Sequence, residues 1–279
     1  MPVMTDPNLS TSDFERLSRV IYDHCGITLK PEKMELVRAR LAKRLRATGV
    51  ATYQQYIETV LSSRDSEEFV KLIDAISTNL TSFFRESQHF DYLSQTHLPK
   101  VVRTNGSSRR LRGWSAGCSS GEEPYTIAMV LNETLPALGA GGWDVKLLAT
   151  DISTQVLDRA RTGLYDEERA RTIPAALRGK YFEPRKKDGE TCIAARPELR
   201  SLIVFNRLNL MESWPFTGPF DFIFCRNVMI YFDKPTQERL VQRYHDMLAP
   251  GGVLFTGHSE SLTGISHKFA FVQPTIYRK

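Results

Sequence analysis

The chain has 279 residues, of which 41% are hydrophobic and 25% charged, and its formal net charge is +5. Such a composition is typical of a globular protein with one large domain or two modest ones. No apolar run approaches the roughly 18 residues of a membrane span, and the N-terminal sequence lacks the layout of a signal peptide. The four cysteines are scattered, without the spacing of a disulfide framework or a metal site. We therefore expect a cytoplasmic protein that holds no metal.

Residues 1–90 predict an all-helical domain. Phe14, Leu17, Val20 and Ile21 recur at helical spacing before Gly26 ends the first helix, and a second helix follows Pro31. Four basic residues fall on one flank of this second helix: Lys33, Arg40, Lys43 and Arg44. This basic flank is either an ordinary solvated helix face or a docking surface for an acidic partner.

Residues 91–279 predict an α/β domain. Short apolar strands are expected at 111–114, 145–150, 202–207, 220–225 and 253–257, each separated from the next by helical sequence apart from one interruption. This alternation favours a mostly parallel sheet, to which 269–277 would add an antiparallel strand. The interruption, at about 181–200, predicts a small inserted β-hairpin with its charged turn at 186–189.

The segment 111–129 predicts a strand, a glycine turn and a helix, the opening of a nucleotide-binding domain. Ser119 stands where the dinucleotide fingerprint has its second glycine, and Glu122 and Glu123 occupy the helix start, where a phosphate would otherwise bind. These acids favour an adenosine derivative that carries a positive charge, and S-adenosylmethionine fits that description. Asp151 ends the second strand, where an acid either binds ribose hydroxyls or caps the next helix.

Six segments carry a resemblance to a known family. They are NLTSFFRE at 79–86, WSAGCSSGEEPYTIAM at 114–129, ATDIS at 149–153, NLMESWPF at 209–216, FDFIFCRNVMIYF at 220–232 and GGVLFTGHSESL at 251–262. In this order they closely resemble the chemotaxis receptor methyltransferases of the CheR family. The resemblance implies a Rossmann-like sheet that binds S-adenosylmethionine, with an N-terminal all-helical domain and a small inserted β-subdomain.

The resemblance also implies roles for individual residues. Glu122, chosen over Glu123 because it lies nearer the turn, would face the methionine ammonium, and Asp151 the ribose. The remaining cofactor residues would be Asn209 and Leu210 beside the adenine, Asn227 and Val228 near the transferred methyl, and Asn79, Thr81 and Arg85 closing over the cofactor from the helical domain. Arg85 and Tyr231 would orient the substrate carboxylate.

The implied reaction transfers a methyl group to glutamate side chains on the cytoplasmic helical bundle of chemoreceptors and leaves S-adenosylhomocysteine. The basic flank would dock there, and the protein would be a cytoplasmic monomer recruited to receptor arrays. Some family members also bind a receptor C-terminal peptide at the β-subdomain, and members without this activity lack a glycine-containing insertion in its hairpin. The hairpin of this chain has a single glycine, Gly189, so both possibilities stay open. The alternatives are a non-catalytic S-adenosylmethionine-binding regulator or scaffold and a nucleic-acid methyltransferase. The latter is disfavoured because the basic patch lacks interleaved aromatic residues, and we expect neither a nucleic-acid partner nor membrane insertion.

Overall fold

The computed structural model describes residues 8–64, 66–187 and 189–279. Met1–Pro7, Asp65 and Asp188 lie outside the described residues. The beginning of the predicted domain 1–90 and one position of the predicted turn at 186–189 are therefore not covered.

The N-terminal part is helical, as predicted. The side chains of Ser10, Thr52 and Ser66 each accept a hydrogen bond from a backbone N–H in the first turn of a helix. Gly26 and Gly49 adopt left-handed backbone at two helix ends. The apolar faces enclose one core. The helices are α1 (Thr11–Cys25), α2 (Met34–Thr48, after a 3₁₀ turn at Pro31–Lys33), α3 (Tyr53–Ser62) and α4 (Glu67–Ile76).

A further helical stretch leads from the helical domain into the sheet domain. It comprises α5 (Gln88–Tyr92), a π-helical turn (Leu93–His97) and α6 (Leu98–Thr104). Phe83 and Phe90 pack in the same core as the central sheet. The last buried residue of the helical core is thus Ile76, and Phe83 is the first buried residue of the core that contains the sheet strands.

The remaining elements follow in chain order. They are β1 (Arg110–Ala116), α7 (Glu122–Ala137), β2 (Asp144–Asp151), α8 (Thr154–Thr162), β3 (Leu164–Asp166), α9 (Glu167–Ala170), α10 (Ala175–Tyr181), β4 (Phe182–Lys187), β5 (Glu190–Ala195), α11 (Pro197–Arg200), β6 (Ile203–Arg207), β7 (Phe220–Cys225), a 3₁₀ turn (Met229–Tyr231), α12 (Lys234–Met247), β8 (Leu248–Thr256), β9 (Ala270–Gln273) and β10 (Ile276–Arg278).

The central sheet has the strand order β6-β2-β1-β7-β8-β10-β9. The first five strands of this order are parallel, and β10 and β9 add antiparallel pairs at one edge. The predicted α/β class with a mostly parallel sheet is confirmed. The run at 269–277 forms two strands of a hairpin, where the sequence predicted one strand.

The connection between β6 and β7 differs from the prediction, because residues 208–219 contain no helix. Pro215 and Pro219 lack a backbone N–H, which disfavours a helix in this stretch. Trp214 and Phe216 instead pack edge-on against Trp114 of β1, with ring centroids 4.8 and 5.1 Å away. The expectation of helical sequence between these two strands was wrong.

The inserted β-subdomain is larger than the predicted hairpin at 181–200. β4 and β5 pair antiparallel as expected, but β3 adds a third strand on the other side of β5. Lys187 pairs with Glu190, so only two residues connect the hairpin strands.

Hydrogen bonds join the helical domain to the sheet domain. Tyr22 donates its hydroxyl to Asp233 (2.7 Å), and the backbone N–H of Thr28 donates to the Tyr231 carbonyl (2.8 Å). Asp74 of α4 accepts both the backbone N–H and the hydroxyl of Thr154, at the start of α8 (2.9 and 2.8 Å). Among the described residues, no helix has both the length and the apolar character needed to cross a membrane.

Candidate active site

A cavity of about 400 Å³ opens above the carboxyl ends of β1, β2, β6 and β7. The chain passes from β1 to β2 on one side and reaches β7 on the other, and open α/β sheets bind ligands at such a switch point. The opposite wall comes from the helical domain, through α2 and residues 76–85. Most of the predicted site residues line this cavity: Asn79, Thr81, Arg85, Asp151, Asn209, Leu210, Asn227, Val228 and Tyr231, together with Lys33 and Arg40.

The glycine turn after β1 forms the floor of the cavity. The backbone N–H groups of Gly117 and Cys118 both donate to the Thr150 carbonyl, which ties the turn to β2 (2.8 and 2.9 Å). Gly117 has φ +92°, and a Cβ at this position would overlap the side chain of Val228. Glycine is therefore required both by the backbone angle and by the close approach of the loop after β7.

The two acids at the start of α7 have different surroundings, and only Glu123 is among the described residues that line the cavity. Glu122 is fully buried behind the turn, where Arg169 and the Ser120 hydroxyl donate to its carboxylate. Glu123 lines the cavity instead. It accepts hydrogen bonds from the Ser115 hydroxyl (2.7 Å) and from Arg226 (3.0 Å). Burial raises the pKa of the Glu123 carboxyl, and the positive charge of Arg226 opposes that rise.

Asp151 lies at the end of β2 with its carboxylate at the cavity wall. Its two oxygens accept backbone N–H groups of Ser119 and Ser153, each at 2.9 Å. Ser153, rather than Asp151, caps α8 through its own side chain. Burial raises the pKa of Asp151, and these N–H donors act in the opposite direction. The acid is thus fixed beside the glycine turn.

Asn209 and Leu210 follow β6 at the same wall. Asn209 is only 4% exposed, and its side-chain amide donates to the His24 carbonyl at 2.6 Å, linking this loop to α1. Its side-chain oxygen accepts the Met211 N–H at 3.0 Å. Leu210 and Leu208 add apolar surface to the same wall. A polar amide beside apolar side chains suits a flat aromatic base.

The loop after β7 is held by an acid that the sequence reasoning missed. Glu260 is 5% exposed, and its carboxylate accepts the backbone N–H groups of Asn227 (2.6 Å), Ile230 (3.1 Å) and Gly257 (2.6 Å). Asn227 has φ +59°, an uncommon angle for a residue other than glycine. Glu260 therefore positions the loop that brings Val228 and Tyr231 to the cavity. The only sequence signal for this role is an acid in the loop that follows β8.

Arg85 lies in a constrained stretch of backbone at the domain boundary. Its neighbours Phe84 and Glu86 have φ +54° and +57°. The Arg226 guanidinium donates to the Arg85 carbonyl and lies 3.2 Å from Glu86 and 3.0 Å from Glu123. Arg85 itself donates to the Leu80 carbonyl at 2.9 Å. These contacts fix the backbone on both sides of Arg85 while its side chain lines the cavity.

Glu86, His89 and His258 have ligand atoms within 4.8 Å of one another, a spacing compatible with a metal ion. Burial lowers the pKa of His89 to about 3, and the Arg226 charge adds to the effect, so the imidazole is neutral. The Arg226 guanidinium, however, already contacts Glu86. The carboxylate of Glu86 therefore already has a cationic partner.

The basic flank of α2 divides between the cavity and the helical core. Arg40 donates to the carbonyls of Ile76 and Ser77 at the end of α4 and lines the cavity with Lys33. Arg44 makes two hydrogen bonds to Glu68 (3.0 and 2.6 Å). Lys43 is exposed. The structure therefore gives Arg40 and Arg44 intramolecular partners, which the expectation of a free docking flank did not include.

The cavity combines two carboxylates, a polar amide and apolar side chains, with a volume in the range of small-molecule sites. These features fit a ligand that has a cationic end, a hydroxyl-bearing sugar and a flat base. Sheet, turn and cavity together define an S-adenosylmethionine-dependent methyltransferase. The profile described as "CheR methyltransferase, SAM binding domain" matches residues 79–278, and "CheR methyltransferase, all-alpha domain" matches residues 12–77. The chain belongs to the CheR methyltransferase family, and S-adenosylmethionine is its cofactor.

Curated relatives are similar over nearly their whole length. A chemotaxis protein methyltransferase of Borreliella burgdorferi is 40% identical, covering 98% of this chain and 95% of the relative. Chemotaxis protein methyltransferase 2 of Pseudomonas aeruginosa is 42% identical over 95% and 92%. The chemotaxis protein methyltransferase of Escherichia coli K12 is 39% identical over 96% and 91%. These relatives support a role for this chain in chemotaxis methylation.

Proposed function

We propose that this protein methylates glutamate side chains in the cytoplasmic part of chemoreceptors and forms glutamate methyl esters. The observation that carries the proposal is that Arg85 and Tyr231 line the same cavity as Glu123 and Asp151. A cation and a phenol suited to a substrate carboxylate thus share one space with acids suited to a cationic cofactor. The names of the chemotaxis relatives support the receptor as substrate.

The proposed chemistry needs no general base. A glutamate with a pKa of about 4.3 is already ionised at neutral pH, and no histidine is among the described residues that line the cavity. S-adenosylmethionine supplies an electrophilic methyl group on a sulfonium. Arg85 and Tyr231 orient the acceptor oxygen, and the wall from the helical domain shields it from water on one side. Alignment of this kind is a sufficient source of rate enhancement.

We assign the cofactor contacts from the cavity geometry and the family resemblance together. Asp151 accepts the ribose hydroxyls, and Glu123, rather than Glu122, faces the ammonium group. Asn209 and Leu210 hold the adenine, while Asn227 and Val228 lie near the transferred methyl. Asn79, Thr81 and Arg85 cover the cofactor from the helical side. Glu260 acts through the loop that it fixes and is a positioning residue.

We place receptor recognition at the cavity mouth rather than at the β4–β5 hairpin. The hairpin has only a two-residue connection, since Lys187 pairs with Glu190. Lys33 is exposed at the cavity just before α2, and Lys43 is exposed on α2. Both lysines complement the acidic methylation segment of a receptor. The protein then acts as a cytoplasmic monomer that is recruited to receptor arrays.

Incubation with tritiated S-adenosylmethionine and receptor-containing membranes tests the proposal. Label on the receptor that is released as methanol by alkali supports a glutamate ester, and Arg85→Ala should remove it. Tight cofactor binding without transfer to any protein would instead favour a non-catalytic regulator or scaffold. Label that resists alkali would refute the ester.

A further inference from the structure

Three large apolar side chains are exposed at the mouth of the cavity. Among the described residues, five large hydrophobic side chains are strongly exposed, and Leu36 (43%), Leu80 (82%) and Ile230 (48%) all line this one cavity. They come from α2, from the segment between the two cores and from the 3₁₀ turn after β7. Apolar surface collected around an opening is typical of a site where a partner docks.

This apolar rim (Leu36, Leu80 and Ile230) is held in place by hydrogen bonds. The Leu80 carbonyl accepts Arg85 at 2.9 Å, and the adjacent Asn79 carbonyl accepts the Ser119 hydroxyl at 3.0 Å. The Ile230 N–H donates to buried Glu260 at 3.1 Å. Leu36 precedes buried Val37 in α2, so the helix itself directs it outward. The exposure of the rim is therefore built into the fold.

The charges around the rim define what can dock there. Lys33, Arg40 and Arg85 line the same cavity, and its two acids lie against Arg226 and against backbone N–H groups. The mouth is therefore both apolar and basic. A complementary partner carries carboxylates and apolar side chains on one face.

We propose that the apolar rim docks an acidic amphipathic helix of the receptor and grips the apolar side chains that flank the acceptor glutamate. On a helix, positions three and four residues from the acceptor share its face. When the acceptor carboxylate enters the cavity between those positions, its apolar neighbours meet the rim. The apolar rim selects which glutamates are methylated, because only apolar residues beside the acceptor would bury it. An acceptor flanked by charged residues would leave the rim exposed to water. This inference rests on the proposed function and names its specificity-determining residues.

Leu80→Ser and Ile230→Ser test the rim, with Val204→Ser as a control at an exposed apolar position outside the cavity lining (45% exposed). Initial rates are measured against receptor concentration at saturating S-adenosylmethionine, and the Kd of the cofactor is measured by calorimetry. Each rim variant should raise the KM for receptor about fivefold or more, as expected for a central interface residue. The kcat and the cofactor Kd should stay near wild type, and the control should match wild type throughout.

Receptor methylation by the wild-type protein distinguishes a failure of the rim proposal from a failure of the proposed function. If it methylates the receptor and both rim variants keep the wild-type KM, the rim is overturned and the proposed function stands. An equal rise in KM for Val204→Ser would also overturn the rim, since the effect would not be local. If the wild-type protein leaves no base-labile methyl group on the receptor, the proposed function fails, and the rim fails with it.

Discussion

Replacing Glu123 with glutamine removes one negative charge from the cavity and leaves the shape of the side chain almost unchanged. The amide oxygen of glutamine can still accept the Ser115 hydroxyl, which donates at 2.7 Å in the wild type. Arg226 keeps Glu86 and the Arg85 carbonyl as partners. The variant therefore loses the attraction between Glu123 and a cationic ligand, together with the ion pair between Glu123 and Arg226.

A hydrogen bond to a charged group contributes about 1.5–3 kcal/mol. Since about 1.4 kcal/mol corresponds to a factor of ten in Kd, Glu123→Gln should weaken S-adenosylmethionine binding by roughly 10- to 100-fold. Isothermal titration calorimetry measures the Kd, and urea unfolding of the same samples shows whether the fold is retained.

Glu122→Gln is the matched control, because it removes the same charge from the adjacent residue. Glu122 is fully buried and paired with Arg169, so this variant should lose about 1–3 kcal/mol of unfolding free energy. Its cofactor Kd should change by less than about threefold, which is below 1 kcal/mol. The reverse result, with lost binding in Glu122→Gln and normal binding in Glu123→Gln, would refute the geometric reasoning and favour the choice made from the sequence.

Three further predictions follow from the site and the helical domain. Burial raises the pKa of Glu123, so the affinity for the cofactor should fall as the pH is lowered towards that pKa. Calorimetry from about pH 8 to about pH 5 should show a shallower fall in affinity for Glu123→Gln than for the wild type. Gly117→Ala should abolish cofactor binding or lower stability by about 1–3 kcal/mol through steric overlap, whereas Gly49→Ala, at a positive φ with open space around it, should retain the wild-type Kd. For Glu68, burial acts to raise the pKa, but hydrogen bonds from Arg44 and Tyr56 lower it overall. Its stabilisation is therefore present at neutral pH and lost as the pH falls through the lowered pKa, so urea unfolding of Glu68→Gln should show a deficit of about 1–2 kcal/mol at neutral pH that shrinks in acid. An undiminished deficit in acid would contradict this assignment.

The features that could be predicted from the sequence are those with a short-range signal. Strand and helix periods identified the parallel sheet, and the turn at Gly117 together with Asp151 located the ligand cavity. These signals are local because a strand end, a tight turn and a helix start are set by neighbouring residues.

The remaining features depend on contacts between distant parts of the chain. Glu122 and Glu123 are adjacent, yet successive helical positions point about 100° apart, and only the path of the turn decides which of them faces the cavity. Arg44 looked free because Glu68 is on another helix. Charge reversal at Arg40 or Arg44 would therefore disturb the fold together with any docking, and Lys43→Glu is the cleaner probe of docking. Glu260 likewise lies 33 residues along the chain from Asn227, whose backbone N–H it accepts.

The position of the cavity between the helical domain and the sheet domain has a thermodynamic consequence. The helical and sheet domains are linked by a single stretch of chain and by hydrogen bonds such as Tyr22–Asp233 and Thr154–Asp74. A ligand that contacts both walls stabilises the arrangement of the two domains that forms the cavity. Linkage is reciprocal, so if the receptor binds across both walls, bound receptor and bound methyl donor would each raise the affinity of the protein for the other.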